Sequence, residues 1–211
     1  MQYRTLGATD IEVSAIAMGC WPIVGDSTWG LQHEADSIAT LHAAVDSGVT
    51  FFDTAEMYGD GYSEKLLGRA FSDRRHDVVI ASKAIPEHLE PSRLKKACED
   101  SLRRLKTDYI DLYQLHWPND DVPIEDSLEA LAQLKQEGKI RVGGVSNFGP
   151  NDLSELLEKG RTEVNQLPYN LLFRAIEFEL QQMCVEHDVS ILPYCPLAQA
   201  LLTGKFEDAD E

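Results

Sequence analysis

Apolar and polar positions along the chain change period at regular intervals, short apolar or β-branched runs alternating with longer stretches of helical spacing. The runs are "AIAMGC" (15–20), "TFFDTA" (50–55), "DVVIASK" (77–83), "YIDLYQLHW" (109–117), "IRVGGVSN" (140–147), "EVNQLPYN" (163–170) and "VSILPYCPL" (189–197). Most are nearly continuous in apolar character, as strands covered on both faces must be. Between them, Ile38, Leu41 and Val45 recur at helical spacing ahead of Gly48, and Leu128, Leu131 and Leu134 form a stripe ahead of Gly138. Each glycine stands where a left-handed C-cap is expected. Further helices are predicted near 63–71, 91–105, 151–159 and 175–187. This alternation predicts a parallel sheet with right-handed crossovers. Ahead of it, "YRTL" and "EVSAI" around "GATD" predict a small antiparallel hairpin that plugs one end of a barrel.

Two α/β architectures fit, an open doubly wound sheet and a (β/α) barrel. The open sheet requires a glycine-rich phosphate loop of the G-x-G-x-x-G type between an early strand and its helix. The nearest match, "GDGYSE" (59–64), has Glu64 in the third glycine's place, where an acid opposes a pyrophosphate; "TGK" (203–205) lacks the upstream glycine of a Walker loop. The barrel instead requires chemically useful side chains at the C-terminal ends of several strands. Asp53 ends the second run, Lys83 the third, His116 the fourth, and Ser146 and Asn147 the fifth, while Gln166 lies in the sixth and Tyr194 near the end of the seventh.

Composition narrows the partners. The 211 residues, 43% hydrophobic and 26% charged, suffice for one core, and no linker or low-complexity tract divides them, so one domain over 1–211 is expected. Its last residues, "EDADE" (207–211), are expected to be mobile. With 19 Lys+Arg against 36 Asp+Glu, the net charge of -17 repels nucleic acid and anionic membrane. Cys20, Cys98, Cys184 and Cys195 show no metal-finger or C-x-x-C spacing, which favours a reduced, cytoplasmic setting and no metal. No run is long enough to span a bilayer, and no signal-peptide layout opens the chain.

"FFDTAEMYG", "ASK", "LHWP", "GVSNF", "NQLPYNLL" and "YCPLAQALLTGK", in this order and spacing, closely resemble the aldo-keto reductases, in particular the bacterial branch related to potassium-channel β subunits. The resemblance runs from Tyr3 to about Phe206. It implies a TIM (β/α)8-type barrel that binds NADP(H), or less often NAD(H), without a Rossmann fold and reduces small aldehydes or ketones. Ser146, Asn147 and Gln166 match positions that bind the nicotinamide carboxamide, and Tyr194 the aromatic on which the ring stacks. Pro196, Leu197 and Lys205 match the loop that embraces the pyrophosphate. Cys195 stands there where serine is usual, and Ala200 where glycine is usual. Trp21, Trp29, Met57 and Trp117 are expected to line an apolar substrate mouth.

Carbonyl reduction needs an acid to protonate the oxygen as negative charge develops. Tyr58 suits that role, since a phenol of pKa about 10 stays protonated at neutral pH. A neighbouring Lys83 ammonium favours the phenolate, Asp53 is the counter-ion that a lysine facing a dry pocket needs, and His116 is placed to orient the same oxygen. Taken singly, each has a plainer reading: Asp53 as a helix cap, Tyr58 as a rim aromatic, Lys83 as a solvated strand end, His116 as a structural histidine. Gln166 and Asn147 alone would be loop braces, and Tyr194 a core residue. Their joint occurrence at successive strand ends favours the catalytic reading. Cys20, Cys98 and Cys184 read as small apolar fillers.

Only seven barrel strands are found before Glu211. The resemblance therefore implies a barrel lacking its eighth strand and final helices, with open edges that invite self-association. Residues outside this sequence, another copy of the chain, or a truncation each account for that. A second functional reading follows from the shortened end and Cys195: a catalytically weak, nucleotide-binding redox sensor or regulatory subunit.

Overall fold

The computed structural model describes residues 1–206; the tail expected to be mobile, 207–211, lies outside the described residues. Two short strands, β1 (Tyr3–Thr5) and β2 (Glu12–Ser14), pair antiparallel with Arg4 opposite Val13, forming the predicted hairpin. Seven strands follow, one for each predicted run: β3 (Ala17–Gly19), β4 (Phe51–Asp53), β5 (Val79–Ala84), β6 (Ile110–Leu115), β7 (Ile140–Ser146), β8 (Val164–Pro168) and β9 (Ser190–Tyr194). They form one parallel sheet in strictly sequential order, the signature of a (β/α) barrel. An open doubly wound sheet reverses its strand order at a switch point, and this one does not. Among the described residues, β3 and β9 are the sheet's two edges.

The crossovers are the predicted helices: α1 (Glu34–Asp46), α2 (Tyr62–Ala70), α3 (Pro91–Leu105), α4 (Ile124–Gln136), α5 (Pro150–Lys159) and α6 (Leu180–Glu186). Gly48 and Gly138 follow α1 and α4 with φ of 90° and 73°, in the left-handed region where glycine carries no Cβ penalty. The helix predicted over 175–187 is broken: a 3-10 turn (Ala175–Glu177) precedes the seven residues of α6. The "GG" of the fifth run lies within β7, not in a phosphate loop; a Cβ on Gly144 would meet Leu112 Cδ1 at 2.9 Å.

Side chains two residues apart share a sheet face, and that period builds the barrel interior in layers. The lowest layer is apolar: Phe51, Ala81, Leu112, Val142 and Val164, one from each of β4 to β8, cluster with Leu6, Ile11 and Val13 of the hairpin. The hairpin is therefore the plug that its pattern predicted. On the other face of β6, next to the interior Leu112, Asp111 is buried, accepting from Arg75 Nη2 at 2.7 Å, Arg141 Nη1 at 2.9 Å and the Ile80 amide at 3.0 Å. One step up from the apolar layer, the same count gives Asp53, Lys83, Gln114, Gly144 and Gln166. The strand register aligns Lys83 with Gln114 and Gln114 with Gly144. The outer faces pack against the helices in one larger core that includes Phe52, Leu67, Leu94, Leu131 and Leu153. All four cysteines are free; Cys20, Cys98 and Cys184 are buried fillers and Cys195 is exposed.

Candidate active site

Asp53 closes β4, Lys83 lies one residue from the end of β5, and Tyr58 sits on the loop that leaves β4. Lys83 is completely buried. Its Nζ donates to Asp53 Oδ1 at 2.7 Å, to the Thr54 carbonyl at 2.9 Å and to the Tyr58 hydroxyl at 3.4 Å, spending all three ammonium donors. Asp53 Oδ2 accepts from Gln166 Nε2 at 2.9 Å, so a side chain 113 residues away joins the network. A second chain of bonds braces the loop from beneath: Thr54 Oγ1 donates to Ser63 Oγ at 2.7 Å, which donates to the Cys20 carbonyl at 2.8 Å.

The electrostatics follow from burial set against charge. Burial disfavours the Lys83 ammonium, but the Asp53 carboxylate and the Tyr58 phenol outweigh it, and its pKa rises. For Tyr58 burial is the largest influence and pushes the phenol above its ordinary value of 10.0; the Lys83 charge pulls it down without cancelling that effect. Tyr58 thus holds its proton at neutral pH. His116 directly follows β6 and is buried, with its ring centroid 6.1 Å from that of Tyr58. Burial, aided by the Lys83 charge, pushes its pKa down to about 3, so the imidazole is neutral and carries one N–H. Its Nδ1 has no hydrogen-bond partner.

The neighbouring strand ends carry a polar shelf. Ser146 Oγ donates to the Gln166 carbonyl at 3.1 Å, and Asn147 Nδ2 donates to the His116 carbonyl at 2.9 Å. Tyr194 donates its hydroxyl proton to Asn147 Oδ1 at 2.8 Å. Asn147 has φ of 64°, a left-handed conformation that asparagine tolerates better than most residues. Amide and hydroxyl groups beside a half-buried phenol ring are a donor set that fits the carboxamide and ring face of a nicotinamide.

Aromatic side chains frame the cluster. Trp21 stacks on Tyr58 with centroids 5.8 Å apart, Trp29 meets Trp21 edge-on at 5.5 Å, and Trp117 stacks on His116 at 3.8 Å. Met57 is exposed beside Tyr58 in the chain. Cys195, Pro196, Leu197 and Lys205 lie on the exposed segment after β9, and their side chains make no hydrogen bond to the cluster. Among the described residues no group of three or more His, Cys, Asp or Glu side chains is arranged to hold a metal ion, and no helix is long and apolar enough to cross a membrane.

Two carboxylates escaped sequence reasoning. Glu56 Oε1 accepts from the Ile85 amide at 2.7 Å and lies 2.9 Å from His88 Nδ1, tying the Tyr58 loop to the loop after β5. Its only signal was an acid between Asp53 and Tyr58. Glu64, seen in the sequence only as the acid that spoils a phosphate loop, is completely buried inside α2, where it bonds Arg104 Nε at 2.5 Å and Ser82 Oγ at 2.6 Å.

The sequence model of the Aldo/keto reductase family matches residues 15–211. Aldo-keto reductase YhdN of Bacillus subtilis is 38% identical over 99% of the chain and 66% of its own length. Methylglyoxal reductase YeaE of Escherichia coli is 40% identical over 85% of the chain and 65% of its own length. Similarity extends to a probable voltage-gated potassium channel subunit beta of Arabidopsis thaliana, 30% identical over 98% of the chain and 67% of its own length. Among solved structures, an aldo-keto reductase from Klebsiella pneumoniae in complex with NADPH superimposes with a TM-score of 0.88 at 39% identity, over 100% of this chain and 74% of that one. The chain thus spans about two thirds of the length of the curated relatives it matches, YhdN and YeaE at 66% and 65%. With the order of its strands and the match over 15–211 agreeing, the chain belongs to the aldo/keto reductase family.

Proposed function

We propose that the chain is an NAD(P)H-dependent reductase of aldehydes or ketones, with Tyr58 as the general acid. The observation that carries this reading is the Asp53–Lys83–Tyr58 relay, an ammonium 2.7 Å from a carboxylate and 3.4 Å from a phenol oxygen. When bound, the dihydronicotinamide supplies a hydride to the carbonyl carbon. Tyr58 gives its hydroxyl proton to the carbonyl oxygen, completing the alcohol, and takes a proton back from solvent. Lys83, fixed by Asp53, stabilises the phenolate that exists between those events. Neutral His116 donates its N–H to the same oxygen and aligns the carbonyl. Ser146, Asn147 and Gln166 hold the carboxamide, Tyr194 carries the ring, and Pro196, Leu197, Lys205 and the Cys195 backbone face the phosphates. Trp21, Trp29, Met57 and Trp117 exclude water around the substrate's apolar part.

The NADPH in the Klebsiella neighbour supports NADP(H) as the first cofactor to try, with NADH beside it because one relative is an NADH-specific methylglyoxal reductase. The methylglyoxal reductases among the relatives support short aldehydes as first substrates. The test is NADPH consumption with short-chain and aromatic aldehydes by the chain and its Tyr58→Phe variant. A fall in kcat of about 10²–10⁴-fold is expected of a lost general acid, with NADPH quenching of tryptophan fluorescence retained. Turnover unchanged in the variant removes Tyr58 from the role. Quenching without turnover in the parent chain favours the redox-sensor reading instead.

A further inference from the structure

Outside the barrel, on its helical shell, α2 and α3 line an open surface cleft of about 550 Å³. Six of its seven lining residues are cations: Lys65 and Arg69 from α2, Lys96, Arg103 and Arg104 from α3, and Lys106 immediately after it. Asp100 is the seventh. In a chain with 19 basic residues and a net charge of -17, this concentration runs against the composition.

We infer that this cleft binds a compact, multiply charged, phosphate-bearing small molecule. The first reason is uncompensated charge. Glu34 pairs with Arg69 at 2.5 Å, Glu64 with Arg104 at 2.5 Å, and Asp100 with both Lys96 and Arg103. Among the described residues, Lys65 and Lys106 have no carboxylate within 4.0 Å, so the cations outnumber their partners.

The second reason is that the floor is preorganised. Arg104 gives Nε to the buried Glu64 and Nη2 to Ser101 Oγ at 3.0 Å, which fixes its plane and leaves Nη1 to donate elsewhere. Room for that arginine depends on Gly61, whose Cβ would fall 2.4 Å from Arg104 Cδ. A Cβ on Gly68 would meet the Leu105 carbonyl oxygen at 2.6 Å, so the close approach of α2 to the last turn of α3 is built into the sequence. Lys106 occupies the left-handed cap of α3 at φ 54°, where glycine is the default and a side chain costs about 1 kcal/mol.

Helix-dipole complementarity explains cations at the end of α3, but neither Lys65, in the first half of α2, nor Lys96, midway along α3. The volume lies in the range of small-molecule sites, and guanidinium forks with flexible ammonium groups are the side chains that phosphate oxygens select. A nucleic acid partner is disfavoured by the charge of the remaining surface. The cleft shares no residue with the shelf of Ser146, Asn147, Gln166 and Tyr194, so this inference stands apart from the reductase reading.

Calorimetric titration of the whole chain with inorganic tripolyphosphate tests it. One saturable site is expected, weakening as salt rises from about 50 to about 200 mM and unaffected by excess NADPH. Lys65→Ala/Lys106→Ala, which removes two exposed side chains that form no hydrogen bond, should weaken it about tenfold with an unchanged melting temperature. Lys135→Ala/Lys159→Ala, which removes two cations elsewhere, should leave the affinity as it was. Absence of saturable binding, equal affinity in the Lys65/Lys106 variant, or displacement by NADPH overturns the inference. Reductase activity and NADPH quenching are read separately, so failure here leaves that reading standing, and the reverse.

Discussion

Lys83 and Asp53 form an ion pair at 2.7 Å in which the lysine side chain is fully enclosed and the carboxylate is 14% exposed. Such a pair contributes little net stability over an apolar substitute, but breaking it strands a charge. Asp53→Asn should therefore destabilise the fold by about 3–5 kcal/mol. Adding Lys83→Met removes the stranded charge and should recover most of that loss while leaving turnover abolished. Denaturant unfolding of the three proteins, read beside NADPH consumption, separates the two effects.

The pH dependence of reduction should lack the limb that an ordinary histidine would give. His116, pushed to about 3 by burial, is neutral throughout the working range, and Tyr58, pushed above 10.0, is protonated there. The acid form of Tyr58 is the active one, so kcat/KM is expected to stay flat through neutrality and fall only above pH about 10. An inflection near 6.5 would contradict this.

The same histidine sets a stability trend. Its folded pKa lies below the unfolded 6.5, so between those values the unfolded chain binds the extra proton. Stability is lost as pH falls from about 6.5 toward 3, at up to about 1.4 kcal/mol per pH unit from this one group. A His116→Asn chain should show a shallower acid slope in melting temperature than its parent.

Asp111 is a purely architectural counterpart of Asp53. It neutralises Arg75 and Arg141 and fixes the Ile80 amide on the sheet face opposite the plug, and none of these partners belongs to the Asp53–Lys83–Tyr58 cluster. Asp111→Ala should cost about 3–5 kcal/mol, by the same stranding of charge, and leave kcat of the folded fraction unchanged.

Ala200 has φ of 80°, one of four left-handed non-glycine residues in the segment after β9, with Cys195, Ala198 and Gln199. Ala200→Gly should relieve about 1 kcal/mol of backbone strain and raise the melting temperature by about 2–4 °C. No gain would show that the segment takes another conformation in solution.

Much of this site was legible because two periods carry it. Strand positions two apart give the interior layers, so an apolar Phe51 or Ala81 at the floor leads by counting to Asp53 or Lys83 above it. The helical stripes ending at Gly48 and Gly138 located α1 and α4. The bond from Gln166 to Asp53 was not legible, since it joins non-adjacent strands across the barrel and no local pattern encodes a chord. Nor was the burial of Glu64, because its partner Arg104 lies 40 residues on and only the packing of α2 on α3 unites them. The break before α6 went unseen because 175–187 keeps enough apolar residues to read as one helix. The net effect on Tyr58 also needed coordinates: the sequence supplies Lys83, but enclosure outweighs it.

Gly7 of the plug donates its amide to Ser190 Oγ at 2.7 Å, a bond between residues 183 positions apart. The seat it enters is assembled from strands whose residues run from Phe51 to Val164. During synthesis at roughly 5–20 residues per second, the plug thus waits on the order of ten seconds or more before its resting place exists. A stretch of polypeptide made early is among the last to dock, and until then Leu6, Ile11 and Val13 are candidates for chaperone capture.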